Sequence, residues 1–381
     1  MLKQSKYKTI SIFTETIIEG GGPMGYVFNM IQGLREVEET NTRIKFYQFY
    51  RTDKKNRNSF SKIMYRVFDH YWRKINEKRM HKACKYSDLC IFQGYQTNKY
   101  VKLAKQNKRL CVYMPHSPYI AADEIKKVYE LDKKTFPSEK YEEIYDTEKD
   151  LFSLSDILIF ATRNAANAYY REWNSIIETK KVYFIKSGVI VRKATGSINL
   201  LSDYNDKVKI CFIGRYIEHK GYRLFCEASQ RFKGNKDCIF ISAGSGPLKG
   251  IPESNTVKDL GFVKGIGNLI KQVDVIIIAN TVAYYDLLPL ECASYGKPMV
   301  MSYVDGNIDQ LEDLPDTIAF ESNNIDSLIE KIKDAIKISK EQKSWGKRNQ
   351  EVYENMFTEV AMVNRWLDVI KQILSEEQNS H

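Results

Sequence analysis

The sequence contains no apolar run long enough to cross a bilayer, and its first residues, MLKQSKYKTISIF, lack the apolar segment of a secretion signal. Its seven cysteines include no Cys-x-x-Cys pair, and most of them lie in apolar, strand-like runs. This pattern predicts reduced, buried thiols in a cytoplasmic protein and argues against a disulfide framework or a zinc site. A P-loop and a serine nucleophile elbow are also missing, which argues against two common classes of enzyme.

Size and charge distribution indicate two domains and one unusual segment. A chain of 381 residues is long for one hydrophobic core, and its 43% hydrophobic content is typical of a folded globular protein. The formal net charge of +10 is concentrated, because 12 Lys and Arg residues face three acidic residues between Arg51 and Lys85. That segment therefore needs its own explanation.

Short apolar strands alternate with amphipathic helices in both halves of the chain. The first half opens with the strand KTISIF, the glycine-rich turn EGGGPMGY and a helix; after a polar connector (187–206), VKICFIG restarts the same order. This alternation predicts an α/β protein of two Rossmann-like, doubly wound domains facing a central crevice. We expect an N-terminal domain (1–195), a C-terminal domain (196–355) and a last helix (356–381) that packs toward the N-terminal domain.

The stretch from Asn280 to Asp305 is the strongest candidate for a ligand site. A buried strand ends at Asn280, a polar turn follows, and LLPLECASYG predicts a short helix ending at Gly296. In open α/β sheets a helix N-terminus at this place binds anions, and Glu291 lies one turn inside that helix. In the first half, His116 follows a predicted strand at its carboxyl end, where a structural and a functional role are equally compatible with the sequence.

Several motifs together resemble a known enzyme family. In the second half they are FIGRYIEHKGYRLF, SAGSGPL, LGFV and DLLPLECASYGKPMVMS; in the first half they are GGGPMGYVFNMIQGL, MPHSP and SDILIFATRNAANAYY. In this order and spacing they resemble the retaining GT-B glycosyltransferases of family four (glycosyl transferases group 1). The resemblance covers nearly the whole chain except the basic segment, and it is most specific in the second half.

The resemblance implies a role for particular residues. Arg215 and Lys220 would clamp the diphosphate of a nucleotide sugar and act in catalysis with His116, which would approach the donor sugar. Glu291 would accept hydrogen bonds from the ribose hydroxyls. The other implied donor-binding residues are Gly21 and Gly22 beneath the phosphates, Gly261 and Phe262 at the base, and Leu287 and Leu288, whose backbone N–H groups would receive the phosphate. The alternative for the two cations is that they are solvated charges of a turn.

One position departs from the family pattern. The family has a glutamate eight residues before Glu291, where this sequence has Ala283, and Asp286 occupies a turn position that is usually glycine. Asp286 either replaces the missing acid in part, as a donor-binding residue, or caps the following helix, and capping is the expectation of the two. The substitution leaves the identity of the donor sugar open.

The family implies retention at the anomeric carbon, with the leaving phosphate accepting the proton of the acceptor. The chain contains no Asp-x-Asp, the metal–diphosphate motif of the other large glycosyltransferase fold, so neither a metal nor a cofactor is expected beyond the nucleotide-sugar substrate. The acceptor would be a glycan or lipid-linked molecule in surface polysaccharide or glycoconjugate synthesis. Because of Ala283, a catalytically degenerate subunit that supports another transferase is the alternative.

The basic segment 51–85 predicts a helix with a stripe of apolar residues at helical spacing: Phe60, Ile63, Met64, Val67, Phe68 and Tyr71. Packing onto the N-terminal domain would explain the stripe but not the sign of the charge. A basic aromatic helix also suits an anionic membrane surface, which would make a cytoplasmic protein peripheral at the inner face of the plasma membrane. Nucleic acid is not the expected partner, because no recognition motif accompanies the charge.

Overall fold

The computed structural model describes residues 7–20, 22–38, 41–50, 59–131, 134–191, 200–250 and 256–379, and of residues 59–68 it describes the backbone. The chain divides into two compact units. Unit 1 comprises Met1–Ala161, Ala166–Ile185 and Val363–His381, and unit 2 comprises Thr162–Ala165 and Lys186–Met362. Gly21 and residues 51–58, which carry part of the sequence predictions, lie outside the described residues.

Unit 1 is built on a six-stranded parallel sheet with the strand order β2-β1-β3-β4-β5-β6. Its strands are β1 (Lys8–Thr14), β2 (Thr42–Gln48), β3 (Leu89–Phe92), β4 (Leu110–Tyr113), β5 (Ile157–Phe160) and β6 (Lys181–Phe184). Its helices are α1 (Gly22–Glu36), α2 (Ser59–Tyr86), α3 (Asn98–Gln106), α4 (Ala121–Leu131), α5 (Ser138–Leu154) and α6 (Asn167–Ile177).

Unit 2 repeats this plan with the strand order β12-β11-β10-β7-β8-β9, again parallel. Its strands are β7 (Val208–Arg215), β8 (Cys238–Ser245), β9 (Val257–Asp259), β10 (Val275–Ile278), β11 (Met299–Tyr303) and β12 (Thr317–Glu321). Its helices are α7 (Tyr222–Arg231), α8 (Ile266–Gln272), α9 (Leu287–Ser294), α10 (Gly306–Asp313), α11 (Ile325–Glu341) and α12 (Lys347–Val352), and α13 (Glu359–Asn379) follows. The predicted α/β class with two doubly wound sheets is confirmed.

The cores lie where the sequence has unbroken apolar runs. All four residues of β3, of β5 and of β10 are buried, as expected for central parallel strands covered by helices on both faces. The seven cysteines are buried and free, which confirms that prediction. The Asn324 side chain accepts hydrogen bonds from Asp326 N and Ser327 N and thereby caps the start of α11.

Unit 1 is completed by the last helix of the chain. Trp366 on α13 is fully buried, and its indole Nε1 donates a 2.6 Å hydrogen bond to the hydroxyl of Tyr26 on α1. Across the described residues, no helix is both long enough and apolar enough to span a bilayer.

Candidate functional site

The predicted nucleotide-sugar residues of unit 2 meet at one edge of its sheet. Arg215 is the last residue of β7 and is exposed, Gly261 and Phe262 follow β9, and Leu287 begins the helix after β10. All six strands are parallel, so their carboxyl ends share this edge. It is the edge at which open α/β sheets hold ligands.

Lys220 is brought to this edge by a tight turn. The single 3-10 turn Glu218–Lys220 follows β7 and ends at Gly221, whose φ is +71°. A Cβ at Gly221 would lie 1.9 Å from the carbonyl oxygen of Ala279, so only glycine allows the turn to lie against the end of β10. Thr281 N donates to His219 O at 3.0 Å and fixes the same contact.

The ammonium group of Lys220 lies 2.5 Å from Oδ2 of Asp286, which also accepts a 2.8 Å hydrogen bond from Asn280 Nδ2. Burial raises the pKa of the Asp286 carboxyl, but the charge and hydrogen bond of Lys220 and the amide of Asn280 outweigh it, so the pKa lies below its ordinary value. The Asp286 carboxyl is therefore ionised at neutral pH. The turn after β7 and the start of α9 are joined by this ion pair.

The expectation that Asp286 caps α9 is wrong in one respect. Asp286 occupies the N-cap position, but its side chain makes no capping hydrogen bond. The carboxylate turns toward Lys220 and Asn280 instead, because an ammonium ion is a stronger partner than a backbone N–H group. The backbone is held separately, since Gln310 Nε2 donates to Asp286 O at 2.8 Å.

Glu291 lies one turn inside α9, as predicted, and is half-buried. It lines a small hollow of unit 2 with Ile190, with Ile266 and Ile270 of α8, and with Tyr295. A carboxylate beside an apolar wall can accept hydrogen bonds from a ligand that also presents a flat, apolar face. Ala283, where the family has its other acid, is buried, and its carbonyl oxygen accepts from Gly306 N at 3.2 Å.

A buried tyrosine that sequence reasoning missed orders the loop of Gly261 and Phe262. The hydroxyl of Tyr216 donates a 2.6 Å hydrogen bond to Oδ1 of Asp259, and the same oxygen accepts from Gly261 N at 2.8 Å. The Tyr216 ring stacks on that of Tyr222 at 3.9 Å between centroids. Phe262 is left 83% exposed next to this anchored turn.

The predicted residues of unit 1 lie at the corresponding edge of the other sheet. Gly22 begins α1 with φ +70°, and His116 follows β4. The His116 ring contacts that of Tyr26 with centroids 4.7 Å apart. His116 is partly exposed as a residue, but its Nε2 is buried, and burial lowers the pKa of the imidazole to about 3. His116 is therefore neutral at physiological pH.

Within the described ranges, no group of three or more His, Cys, Asp or Glu side chains is arranged to hold a metal ion. Charged groups at the edge of unit 2 include the cations Arg215 and Lys220 and the carboxylates of Asp286 and Glu291. Such a set is suited to an anionic ligand that also carries hydroxyl groups.

Comparison with known proteins shows similarity between this part of unit 2 and an enzyme family. Residues 207–337 match the family described as Glycosyl transferases group 1. The Escherichia coli UDP-Gal:alpha-D-GlcNAc-diphosphoundecaprenol alpha-1,3-galactosyltransferase is 27% identical over 173 residues, which are 40% of this chain and 44% of that protein. An uncharacterized glycosyltransferase of Methanocaldococcus jannaschii is 24% identical over 181 residues, 45% of each chain. Each alignment spans less than half of the relative's length.

Solved structures share the fold across nearly the whole chain. Anabaena HepE in complex with UDP covers 96% of this chain and all of its own, with a TM-score of 0.66 at 14% identity. WaaG, a glycosyltransferase involved in lipopolysaccharide biosynthesis, covers 95% of this chain and 99% of its own, with a TM-score of 0.62 at 12% identity. The chain therefore has the fold of the GT-B glycosyltransferases, and its residues 207–337 match the group 1 glycosyl transferases, the family that its motifs resemble.

Proposed function

We propose that this protein is a retaining, metal-independent glycosyltransferase. It moves a hexose-type sugar from a nucleotide-diphosphate donor to a glycan or lipid-linked acceptor in surface polysaccharide or glycoconjugate synthesis. The observation that carries the proposal is the gathering of Arg215, Lys220 and Glu291 at the carboxyl edge of the sheet in unit 2. The match of residues 207–337 to a glycosyl transferase family supports it.

The chemistry follows from the charges at this edge. Negative charge accumulates on the leaving diphosphate as the glycosidic bond breaks, and two cations with the N-terminus of α9 stabilise it without a metal. The ion pair with Asp286 holds the ammonium of Lys220 in place before the donor arrives. In the front-face path that the family implies, the leaving phosphate takes the proton of the acceptor, so no protein base is assigned.

The donor is proposed to be a uridine nucleotide sugar. The Escherichia coli relative is named for a UDP-Gal donor and a diphosphoundecaprenol-linked sugar, and HepE structures contain UDP and UDP-glucose. Glu291 supplies the carboxylate for the ribose, and Phe262 supplies an exposed ring for the base.

A panel of nucleotide sugars tests this function directly. We expect one UDP-sugar to raise the unfolding temperature and to be hydrolysed slowly without acceptor. Arg215→Ala and Lys220→Ala should each lower turnover by about 100-fold or more with the fold intact. Arg231→Ala is the matched control, because this exposed arginine is the last residue of α7 and lies at the end of the helix away from the sheet edge. Full activity in both site variants would refute the assignment.

We further propose that α2 contacts an anionic membrane surface. On the part of α2 whose side chains are described, Tyr71, Ile75 and Tyr86 are each more than half exposed. Six exposed cations surround them, namely Arg73, Lys74, Lys78, Arg79, Lys82 and Lys85. The exposed Glu77 is already paired with Lys99 at 2.9 Å. Cations and aromatic rings on one helix surface are complementary to anionic lipid, at about 1 kcal/mol for each well-placed cation.

Sedimentation with lipid vesicles tests the membrane contact. We expect the protein to bind vesicles of phosphatidylglycerol and to remain in solution with phosphatidylcholine. Replacing Lys74, Lys78 and Lys82 by Glu should abolish the binding, whereas the same change at Lys333, Lys337 and Lys343, which are exposed in unit 2, should preserve most of it. Equal binding by the two triple variants would contradict the proposal.

Ala283 favours one alternative function. A degenerate GT-B subunit that supports another transferase would not need the acid that is missing at this position, and Ala283 is buried. Calorimetric titration with UDP separates the alternatives, because a transferase must bind the nucleotide and a degenerate subunit need not. Loss of that binding in Lys220→Ala would favour the enzyme.

A further inference from the structure

A single buried carboxyl group connects the two ends of the loop that carries His116. This segment, residues 114–120, is called here the His116 loop; Tyr113 precedes it in β4 and Ala121 follows it in α4. Glu148 on α5 is 2% exposed. Its Oε1 accepts a 2.8 Å hydrogen bond from the Tyr113 hydroxyl, and its Oε2 accepts a 2.6 Å hydrogen bond from Ala121 N. Both ends of the loop are thus fixed by the same side chain.

A second buried side chain holds the middle of the loop. The Tyr169 hydroxyl on α6 lies 3.0 Å from Ser117 O and 3.1 Å from Tyr119 O, and it donates to these carbonyls. Tyr169 is 1% exposed, and its ring packs against that of Phe152 on α5. The neighbouring helices α5 and α6 therefore determine the path of the loop through two polar groups inside the core.

We propose that Glu148 and Tyr169 are positioning residues that hold the His116 loop and thereby keep the His116 imidazole desolvated against Tyr26. This inference rests on the proposed function for its catalytic consequence, since His116 is the residue that the family resemblance assigns to the donor sugar. Neither Glu148 nor Tyr169 is assigned a contact with substrate. Their effect on turnover passes through the placement of His116.

The chemistry of the carboxyl group explains why glutamate suits this place. Ionised Glu148 accepts both hydrogen bonds. When protonated, it donates from Oε1 to the Tyr113 oxygen and still accepts from Ala121 N through Oε2. A glutamine can do the same, with its NH2 group facing Tyr113 and its oxygen facing Ala121. Glu148→Gln should therefore preserve the loop, whereas Glu148→Ala removes the carboxylate that accepts from Ala121 N and from the Tyr113 hydroxyl.

Histidine NMR tests the proposal without any enzyme assay. In the native protein the His116 signal, identified by its loss in His116→Gln, should not titrate between pH 5 and 8. In Glu148→Ala we expect the loop to open and the pKa of His116 to rise by roughly two units or more toward its ordinary value. Glu148→Gln should keep the native behaviour. Tyr169→Phe, which retains the ring in the core, should give a smaller rise in the pKa of His116. If Glu148→Ala does not fold, Tyr169→Phe alone tests the positioning role.

Turnover supplies the second measurement. We expect Glu148→Ala to lower turnover by roughly 10- to 100-fold, with affinity for UDP unchanged because Glu291, Gly261 and Phe262, the residues assigned to the ribose and the base, lie in unit 2. Glu148→Gln should restore turnover, and Glu148→Ala should cost nothing further in a His116→Ala background. An unaltered His116 titration in the Glu148→Ala or Tyr169→Phe variant would overturn the inference. If no nucleotide sugar is used by the native protein, the proposed function fails, but the NMR result still decides the positioning role.

Discussion

The ionisation of Glu148 gives a prediction whose sign and size follow from the structure. Burial raises the pKa of this carboxyl from 4.5 to about 7, outweighing the hydrogen bonds from Ala121 N and Tyr113 that favour the charged form. The like charges of Glu124 and Asp123, both in the first turn of α4, raise the pKa further. The informative perturbation is Glu148→Gln, which removes the titration but keeps the shape and both hydrogen bonds.

The direction of the effect comes from proton binding in the two states. Between pH 4.5 and about 7 the folded protein holds a proton on Glu148 that the unfolded chain has lost. The free energy of unfolding contributed by this group is therefore fully present below pH 4.5 and is lost as the pH rises through 7. A pKa difference of about 2.5 units corresponds to about 3 kcal/mol, measured as the change in native-minus-variant stability from pH 4 to pH 8.

Urea denaturation monitored by tryptophan fluorescence can measure this change in unit 1 alone. Three of the four tryptophans belong to unit 1, and Trp345 is in unit 2. Both proteins should carry Trp345→Phe, so that the signal reports unit 1. We expect the two stability-versus-pH curves to diverge by about 3 kcal/mol, because the free energy of unfolding of the native protein falls relative to that of the Glu148→Gln variant as the pH rises. Curves that stay parallel from pH 4 to pH 8 would refute the reasoning, because His116 titrates equally in both proteins.

Three further predictions concern residues outside this carboxyl group. The pH dependence of stability that His116 contributes has the opposite sign to that of Glu148. Burial lowers the pKa of His116 in the folded protein to about 3, so its contribution to stability is present above pH 6.5 and is lost as the pH falls. His116→Gln should therefore reduce the acid sensitivity of unit 1. Gly221→Ala places a Cβ 1.9 Å from a carbonyl oxygen, so we expect thermal unfolding to show a loss of about 3 kcal/mol or more in the free energy of unfolding, together with weaker UDP binding. Gly234 also has a positive φ but is surrounded by open space, so Gly234→Ala should lower the free energy of unfolding by only about 1 kcal/mol. Trp366→Phe removes the indole that donates a 2.6 Å hydrogen bond to the buried Tyr26 hydroxyl, and it should lower the free energy of unfolding of unit 1 in urea by about 1–3 kcal/mol. Trp345→Phe is the control. A variant as stable as that control would contradict the role of α13.

Much of the fold could be predicted because the signal is local. Strands such as VIII of β10 and LCIF of β3 are short apolar runs between polar turns, and such runs form central parallel strands whatever packs on them. The positions of Arg215, Lys220 and Glu291 follow from the same rule, since residues after parallel strands share one edge.

The polar contacts inside the units could not be predicted from the sequence. Glu148 lies in the charged run YEEIYDTEKDLF, where pattern alone does not reveal which carboxylate faces the core. Asp286 has the residue type and position of a helix cap, but a lysine 66 residues away competes for its carboxylate. The hydroxyl of Tyr216, the residue after β7, donates to Asp259 at the end of β9, although β8 lies between these two strands. Each of these partners is set by tertiary packing, which overrides local preference.

The return of the chain to unit 1 affects the order in which a ribosome can build the protein. Unit 2 is nearly continuous in sequence, so it has almost all of its residues as soon as Met362 has left the exit tunnel. Unit 1 must wait for Val363–His381 before Tyr26 meets Trp366, a partner 340 positions later. Nascent unit 1 therefore exposes the surface that α13 covers until that helix has been made, and a stop codon within the helix would leave unit 2 complete but unit 1 unfinished and prone to aggregation.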